Sequence, residues 1–318
     1  MNRLFSYLYV FLAVLVVGAG CESKETRVVV PQQSSAFINA ALKTEEPAPR
    51  EPAIDADAFL DANAKQLIDR RAVAAPTSTV TCQPWRAGMV NHHVMAADLQ
   101  WNFFADVRRC LPTVKRIIIL SPDHFQASRA PIVTTRRAYR SNGIIVPIDE
   151  PSIEPLLKAT QSAYVDSVPF EREHGIGALI PFLVASRGST STMSDVSILP
   201  ILVDPKIAST PALALTRWLE LQMQEGTLIV ISSDMSHYLK KDAALANDRK
   251  TEQALASSDQ PFFWRASDDF TDSGRTIWML LEAFSLNKAV WRETAHRIST
   301  DYGAKPDNTT SYITGFWR

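Results

Sequence analysis

Five of the six histidines sit in short polar blocks at the ends of apolar runs. Asn91-His92-His93 follows Met89-Val90, Ser121-Pro122-Asp123-His124 follows Ile117-Ile118-Ile119-Leu120, and Ser232-Ser233-Asp234-Met235-Ser236-His237 follows Leu228-Ile229-Val230-Ile231. Glu173-His174 opens a further apolar stretch, and His296 alone stands outside the pattern. Neutral imidazoles with one carboxylate are what borderline divalent ions such as Fe(II) and Zn(II) prefer. Two histidines and one carboxylate also leave positions open for substrate or oxygen. An imidazole titrating near neutrality serves as acid or base, which makes His237, with His174 and Asp234, the candidate catalytic groups. Any one histidine at a strand end more often caps a helix or satisfies a buried polar network. Four together shift the weight toward one shared site, although no HxxxH, HExxH or CxxC spacing occurs among them.

For such blocks to meet, the runs before them must be parallel strands whose C-terminal ends share one edge of a sheet. Strands are predicted at 87–90, 116–120, 197–203 and 227–231, and helices at 96–109, 176–186, 211–224 and 275–284. The alternation predicts an α/β fold, a layered mixed sheet with flanking helices. The apolar runs at 117–120 and 228–231 read as central strands covered on both faces, and 311–317 as a further strand at an edge. Asp123 and Asp234 read equally as imidazole acceptors or helix N-caps. Tyr238 and Tyr302 read as substrate donors or, more often, as core.

The chain has 318 residues, 46% hydrophobic and 21% charged, a composition that can bury a core. Lys and Arg number 33 against 34 Asp and Glu, so no net field exists to hold a polyanion, and nucleic acid is not an expected partner. Residues 1–20 read as an export signal: Arg3 gives a positive start, and the apolar run at 4–17 is shorter than the roughly 20 residues of a membrane span. Gly18-Ala19-Gly20-Cys21 resembles a bacterial lipoprotein signal, with Cys21 lipidated; the alternative is cleavage near Gly20 with Cys21 a free thiol. The expected location is the cell envelope, anchored to the membrane by lipid and facing away from the cytoplasm. Residues 21–79, rich in Glu, Lys, Pro, Ala and Ser, read as a tether with one helix at 56–70 able to dock on the body at 80–318. Cys82 and Cys110 either pair in an oxidising compartment or are buried separately.

Taken in order, four blocks resemble the Memo-like family, which includes the AmmeMemoRadiSam system protein B, over about residues 85–318. They are Ala87-Gly88-Met89-Val90-Asn91-His92-His93, Leu120-Ser121-Pro122-Asp123-His124, Glu173-His174 with Leu179-Ile180-Pro181-Phe182-Leu183, and Ser232-Ser233-Asp234-Met235-Ser236-His237-Tyr238. The resemblance implies a fold shared with class III extradiol dioxygenases of the LigB type and a pocket where two histidines and a third ligand bind a metal. By position, His92 or His93 and His124 correspond to the first two ligands, and His237 to a pocket histidine. The family's third ligand is a cysteine before Gly-Arg; here Asp272-Ser273-Gly274-Arg275 puts Ser273 in its place, and Gly177 stands where the family often has Glu. A neutral hydroxyl is a poor ligand, so Asp272 or Asp234 is the expected source of the missing charge. The implied cofactor is a divalent transition metal, iron, zinc or copper. Three functions follow: a metal-dependent, dioxygenase-like oxidoreductase acting on a small molecule, a module that binds metal, ligand or a partner protein without turnover, or a metal-free relic.

Overall fold

A computed structural model describes residues 51–71, 80–187, 195–284 and 290–318. Its strands are β1 (Ile54–Asp55), β2 (Ala87–Val90), β3 (Arg116–Pro122), β4 (Ile132–Thr134), β5 (Tyr139–Ser141), β6 (Ile144–Val146), β7 (Ala163–Val165), β8 (Ser197–Val203), β9 (Thr227–Ser232), β10 (Trp291–Ile298) and β11 (Ser311–Trp317). Eight form one sheet in the order β10-β11-β2-β9-β3-β8-β4-β7, and β1-β5-β6 form a small second sheet. The centre β2-β9-β3-β8 is parallel, in the register Ala87↔Ile229, Ile118↔Ile229 and Ile118↔Leu199. The chain therefore leaves β2, β3 and β9 at the same edge, where the three histidine blocks begin. Every residue from Ile117 to Leu120 and from Leu228 to Ile231 is buried, as expected of strands covered on both faces.

Helices α1 (Ala62–Arg71), α2 (Ala97–Cys110), α3 (Glu150–Thr160), α4 (His174–Gly177), α5 (Ile180–Ser186), α6 (Ser209–Gln222), α7 (Lys241–Ser257), α8 (Gln260–Arg265) and α9 (Gly274–Phe284) complete the layers. The single helix predicted over 176–186 is in fact α4 and α5. Pro181 has no N–H to donate and is tolerated in the first turn of α5, where the helix starts afresh. A second difference concerns β11, which lies between β10 and β2 with all seven residues buried rather than at the edge. The edge position belongs to β10, whose Arg292, Glu293 and Arg297 are exposed and mask the strand pattern in the sequence.

The segment before residue 71 is built into this body. Ile54 pairs with Tyr139 across β1 and β5, and Ile54, Ala56 and Ala64 are buried. A short 3-10 turn, Ala56–Phe59, is followed by α1, whose start is capped by Asp61 accepting the Ala64 N–H at 2.7 Å. The Phe59 ring lies where a Cβ on Gly177 would be, 2.3 Å away, so glycine at that position admits the ring. Residues 50–318 form one compact unit. The export signal and Cys21 lie outside the described residues, and no helix among the described residues is long and apolar enough to cross a membrane.

Cys82 and Cys110 are joined in a disulfide, with Cα atoms 5.0 Å apart, which ties the end of α2 to the chain entering β2. With the partners 28 positions apart in the chain, closing this loop removes about 3.5 kcal/mol of unfolded-chain freedom. Urea unfolding of the Cys82→Ser, Cys110→Ser double variant is expected to show a loss of about that size.

Candidate metal centre

At the C-terminal edge of the parallel strands, His92, His93, His124, Phe125, His174, Asp234, His237, Tyr238, Asp268, Asp272 and Thr310 line a cavity of about 380 Å³. The side chains converge on one carboxylate oxygen. Asp272 Oδ2 lies 3.2 Å from His92 Nε2, 3.3 Å from His124 Nε2 and 3.7 Å from His237 Nε2. Ligands about 2.1 Å from a tetrahedral ion are about 3.4 Å apart, so each of these separations is close to the edge of a coordination polyhedron. Two overlapping groups have all their donor atoms within 4.8 Å of one another: His92 with His124 and His174, and His92 with Asp234 and Asp272. His92 belongs to both.

The hydrogen-bond network assigns which ring nitrogen faces the cavity. Ser232 Oγ donates its one hydrogen to the Gly175 carbonyl, so it accepts from His92 Nδ1 at 2.9 Å, leaving Nε2 to face the aspartates. His124 Nδ1 donates to Glu173 Oε1 at 2.7 Å, again leaving Nε2 toward Asp272. Glu173 is fully buried; it also caps α4 by accepting the Gly175 N–H and holds the His124 backbone N–H at 3.0 Å. A Cβ on Gly175 would fall 2.0 Å from Ser121 Oγ and 3.2 Å from the His124 ring, so α4 comes this close only with glycine there. Asp234 turns inward as well, its Oδ1 accepting the His92 backbone N–H at 3.1 Å.

The buried charged groups of the site shift one another's protonation. Burial alone would lower the His92 pKa, but Asp234 and Asp272 outweigh it and hold the imidazolium above its usual range. Burial also opposes charge on His124, yet its bonds to Asp272 and Glu173 push its pKa up to about 10. His174 goes the other way, to about 4, through burial and the charges of His92 and His124. Burial disfavours the Asp272 carboxylate, but His92 and His124 hold its pKa well below the usual range.

The structure brings His92, His124, His174, His237, Asp234 and Asp272 to one cavity. His93 lines it too, but its Nδ1 is bonded to the Tyr312 hydroxyl at 2.8 Å, and it belongs to neither donor group. Ser273 is buried behind Asp272: its hydroxyl donates to the Ser232 carbonyl and lies 2.8 Å from Asp272 Oδ1, and it does not line the cavity. Asp123 accepts the Ala127 and Ser128 N–H groups and so shapes the turn after β3. Tyr302 donates to Asp98 away from the cavity, whereas Tyr238 is 73% exposed at its mouth, with φ +52°. Sequence reading assigned no role to Asp268, Phe125 and Thr310, which line the cavity, or to Glu173, which lies behind His124. A carboxylate just before a helix looks like an N-cap, and Glu173 is one as well as the partner of His124.

Residues 95–316 match the description "Memo-like protein". The chain belongs to this family. The Memo-like match begins just past His92 and His93, so the fold, not the matched segment, brings the first histidine block to the cavity. MEMO1 family proteins of Thermotoga sp. strain RQ2 and Thermotoga maritima are each 30% identical to it over 162 residues, 50% of this chain and 55% of theirs. The chain thus spans about half the length of the curated relatives it matches. An uncharacterized Escherichia coli K12 protein, JW3007, has a solved structure that aligns with a TM-score of 0.50 at 13% identity, over 72% of this chain and 98% of that one. At that identity the likeness concerns the fold alone.

Proposed function

We propose that this Memo-like protein holds a divalent transition metal through His92, His124 and Asp272 and acts as an oxidoreductase on a small molecule admitted to the cavity. The observation that carries the reading is the approach of two oriented imidazole Nε2 atoms to Asp272 Oδ2. Asp272 supplies the negative charge that Ser273, in place of the family's cysteine, does not. Two nitrogens and one oxygen suit Fe(II) or Zn(II) better than a thiophilic Cu(I). An ion bound there would supply Lewis acidity and, if it is iron, access to oxygen chemistry. The fold resemblance to LigB-type dioxygenases favours the second.

Around that centre the chain's own groups have distinct tasks. His174, held neutral at pH 7, accepts a proton from a substrate hydroxyl, and His237 lines the same cavity as a polar contact for the substrate. Asp234 fixes the backbone of the His92 block, and Glu173 fixes the His124 ring. A cavity of about 380 Å³ fits a small molecule, and Phe125 and Tyr238 offer flat surfaces at its mouth. The export signal and Cys21 support lipid attachment at the cell envelope.

Elemental analysis of tag-free protein, followed by oxygen uptake with phenolic substrates, tests the reading. One ion per chain and uptake that requires Asp272 are expected. An ion without turnover would assign the protein to metal or ligand binding, and no ion would overturn the proposal. Changing Cys21 to Ser is expected to abolish lipid incorporation; a wild-type protein without lipid would overturn the anchor. Glu173→Gln, which removes the charge behind His124, is expected to weaken metal binding about 10- to 100-fold in a competition titration.

A further inference from the structure

His296, the histidine outside the sequence pattern, belongs to a second buried network. Its Nε2 lies 2.9 Å from Asp248 Oδ2 and its Nδ1 3.0 Å from Glu252 Oε1. Both nitrogens face carboxylates, so the ring is an imidazolium that donates twice and compensates the charge of the fully buried Asp248. The other oxygen of Asp248 accepts from Ser236 Oγ at 2.8 Å and from Ser311 Oγ at 2.6 Å. Each serine immediately precedes a residue that lines the cavity or bonds one that does. Ser236 comes before His237, and Ser311 comes before Tyr312, whose hydroxyl bonds His93. Backbone bonds join the two segments, Ser311 N–H to the Ser236 carbonyl at 3.0 Å and Met235 N–H to the Ser311 carbonyl at 2.9 Å.

His237 needs such support. Its Nδ1 is buried with no hydrogen-bond partner among the described residues, and its Nε2 is 3.7 Å from Asp272, too far for a firm bond. Its ring direction is therefore set by the backbone that Ser236 anchors. We infer that Asp248, braced by His296, is a positioning residue that sets His237 through Ser236 and His93 through Ser311 and Tyr312, without itself touching the cavity. The inference rests on the cavity being the working site, but its test does not require metal or turnover.

Full-length protein labelled at the histidine Cε1 carbon gives six signals, assignable by single substitutions. In metal-free protein, Ser236→Ala is expected to shift and broaden the His237 signal while those of His124 and His174 stay in place. Ser311→Ala is expected to move the His93 signal instead. Asp248→Asn should move both, and His296→Gln, whose amide still donates to Asp248, should move them less than His296→Ala. A merely structural role would disturb all the cavity histidines together or none. If Asp248→Asn fails to fold, the two serine variants, each lacking one hydroxyl, still decide. A folded Ser236→Ala protein with an unmoved His237 signal would overturn the inference. Loss of metal binding in a separate titration would overturn the proposed function and leave this result standing.

Discussion

Asp272→Asn is expected to weaken Fe(II) and Zn(II) binding by roughly 100-fold or more. Structural zinc sites with four ligands bind with about 10–16 kcal/mol, which is about 3 kcal/mol per ligand, or two powers of ten. Asp272 is the carboxylate that the Nε2 atoms of His92 and His124 share, and the substitution removes its charge while keeping its shape. Ser273→Ala removes the hydroxyl behind Asp272, which donates to the Ser232 carbonyl and lies 2.8 Å from Asp272 Oδ1, and is expected to cost only about 10-fold. Competition titration of the two variants against a chelator separates these effects. Equal losses would mean that Ser273, not Asp272, faces the ion.

Metal binding is also expected to release at least one proton per ion at pH 7, the one on His124. In the metal-free protein, Asp234 and Asp272 hold the His92 pKa above its usual value, and Asp272 and Glu173 push that of His124 to about 10, each against the effect of burial. Protonated imidazole cannot ligate, so an ion must displace both protons. The sign follows: acid weakens binding and alkali strengthens it. The His124 proton alone makes the apparent affinity change about 10-fold per pH unit up to near pH 10, and the raised His92 pKa acts in the same direction. Calorimetry in buffers of different ionisation enthalpy counts the protons. At least one is expected for the wild type and about one fewer for His124→Ala, and a wild-type count near zero would contradict the charge state described here.

How much was legible in the sequence depended on what each segment faces. The strands at 87–90 and 197–203 could be read to the residue because their apolar side chains are buried on both faces. Strand β10 could not, because it is a charged edge, and α7 could not, because alanines and charges alternate along it without a strong apolar stripe. The histidine blocks were visible because parallel strands deliver their ends to one edge. The choice between His92 and His93 was not, since adjacent residues of an extended chain point to opposite sides. In the fold, His92 turns to Asp272 and His93 to Tyr312. Asp272 was visible only as the neighbour of Ser273, because sequence gives order and not the direction in which either side chain points. Glu173 escaped because its bond to His124 spans 49 positions of chain.

Anaerobic titration of tag-free, full-length protein with Fe(II), run beside His124→Ala, tests the central claim most directly. The account predicts one ion per wild-type chain, bound about 100-fold more tightly than by the variant. Wild-type affinity no better than that of His124→Ala would contradict it.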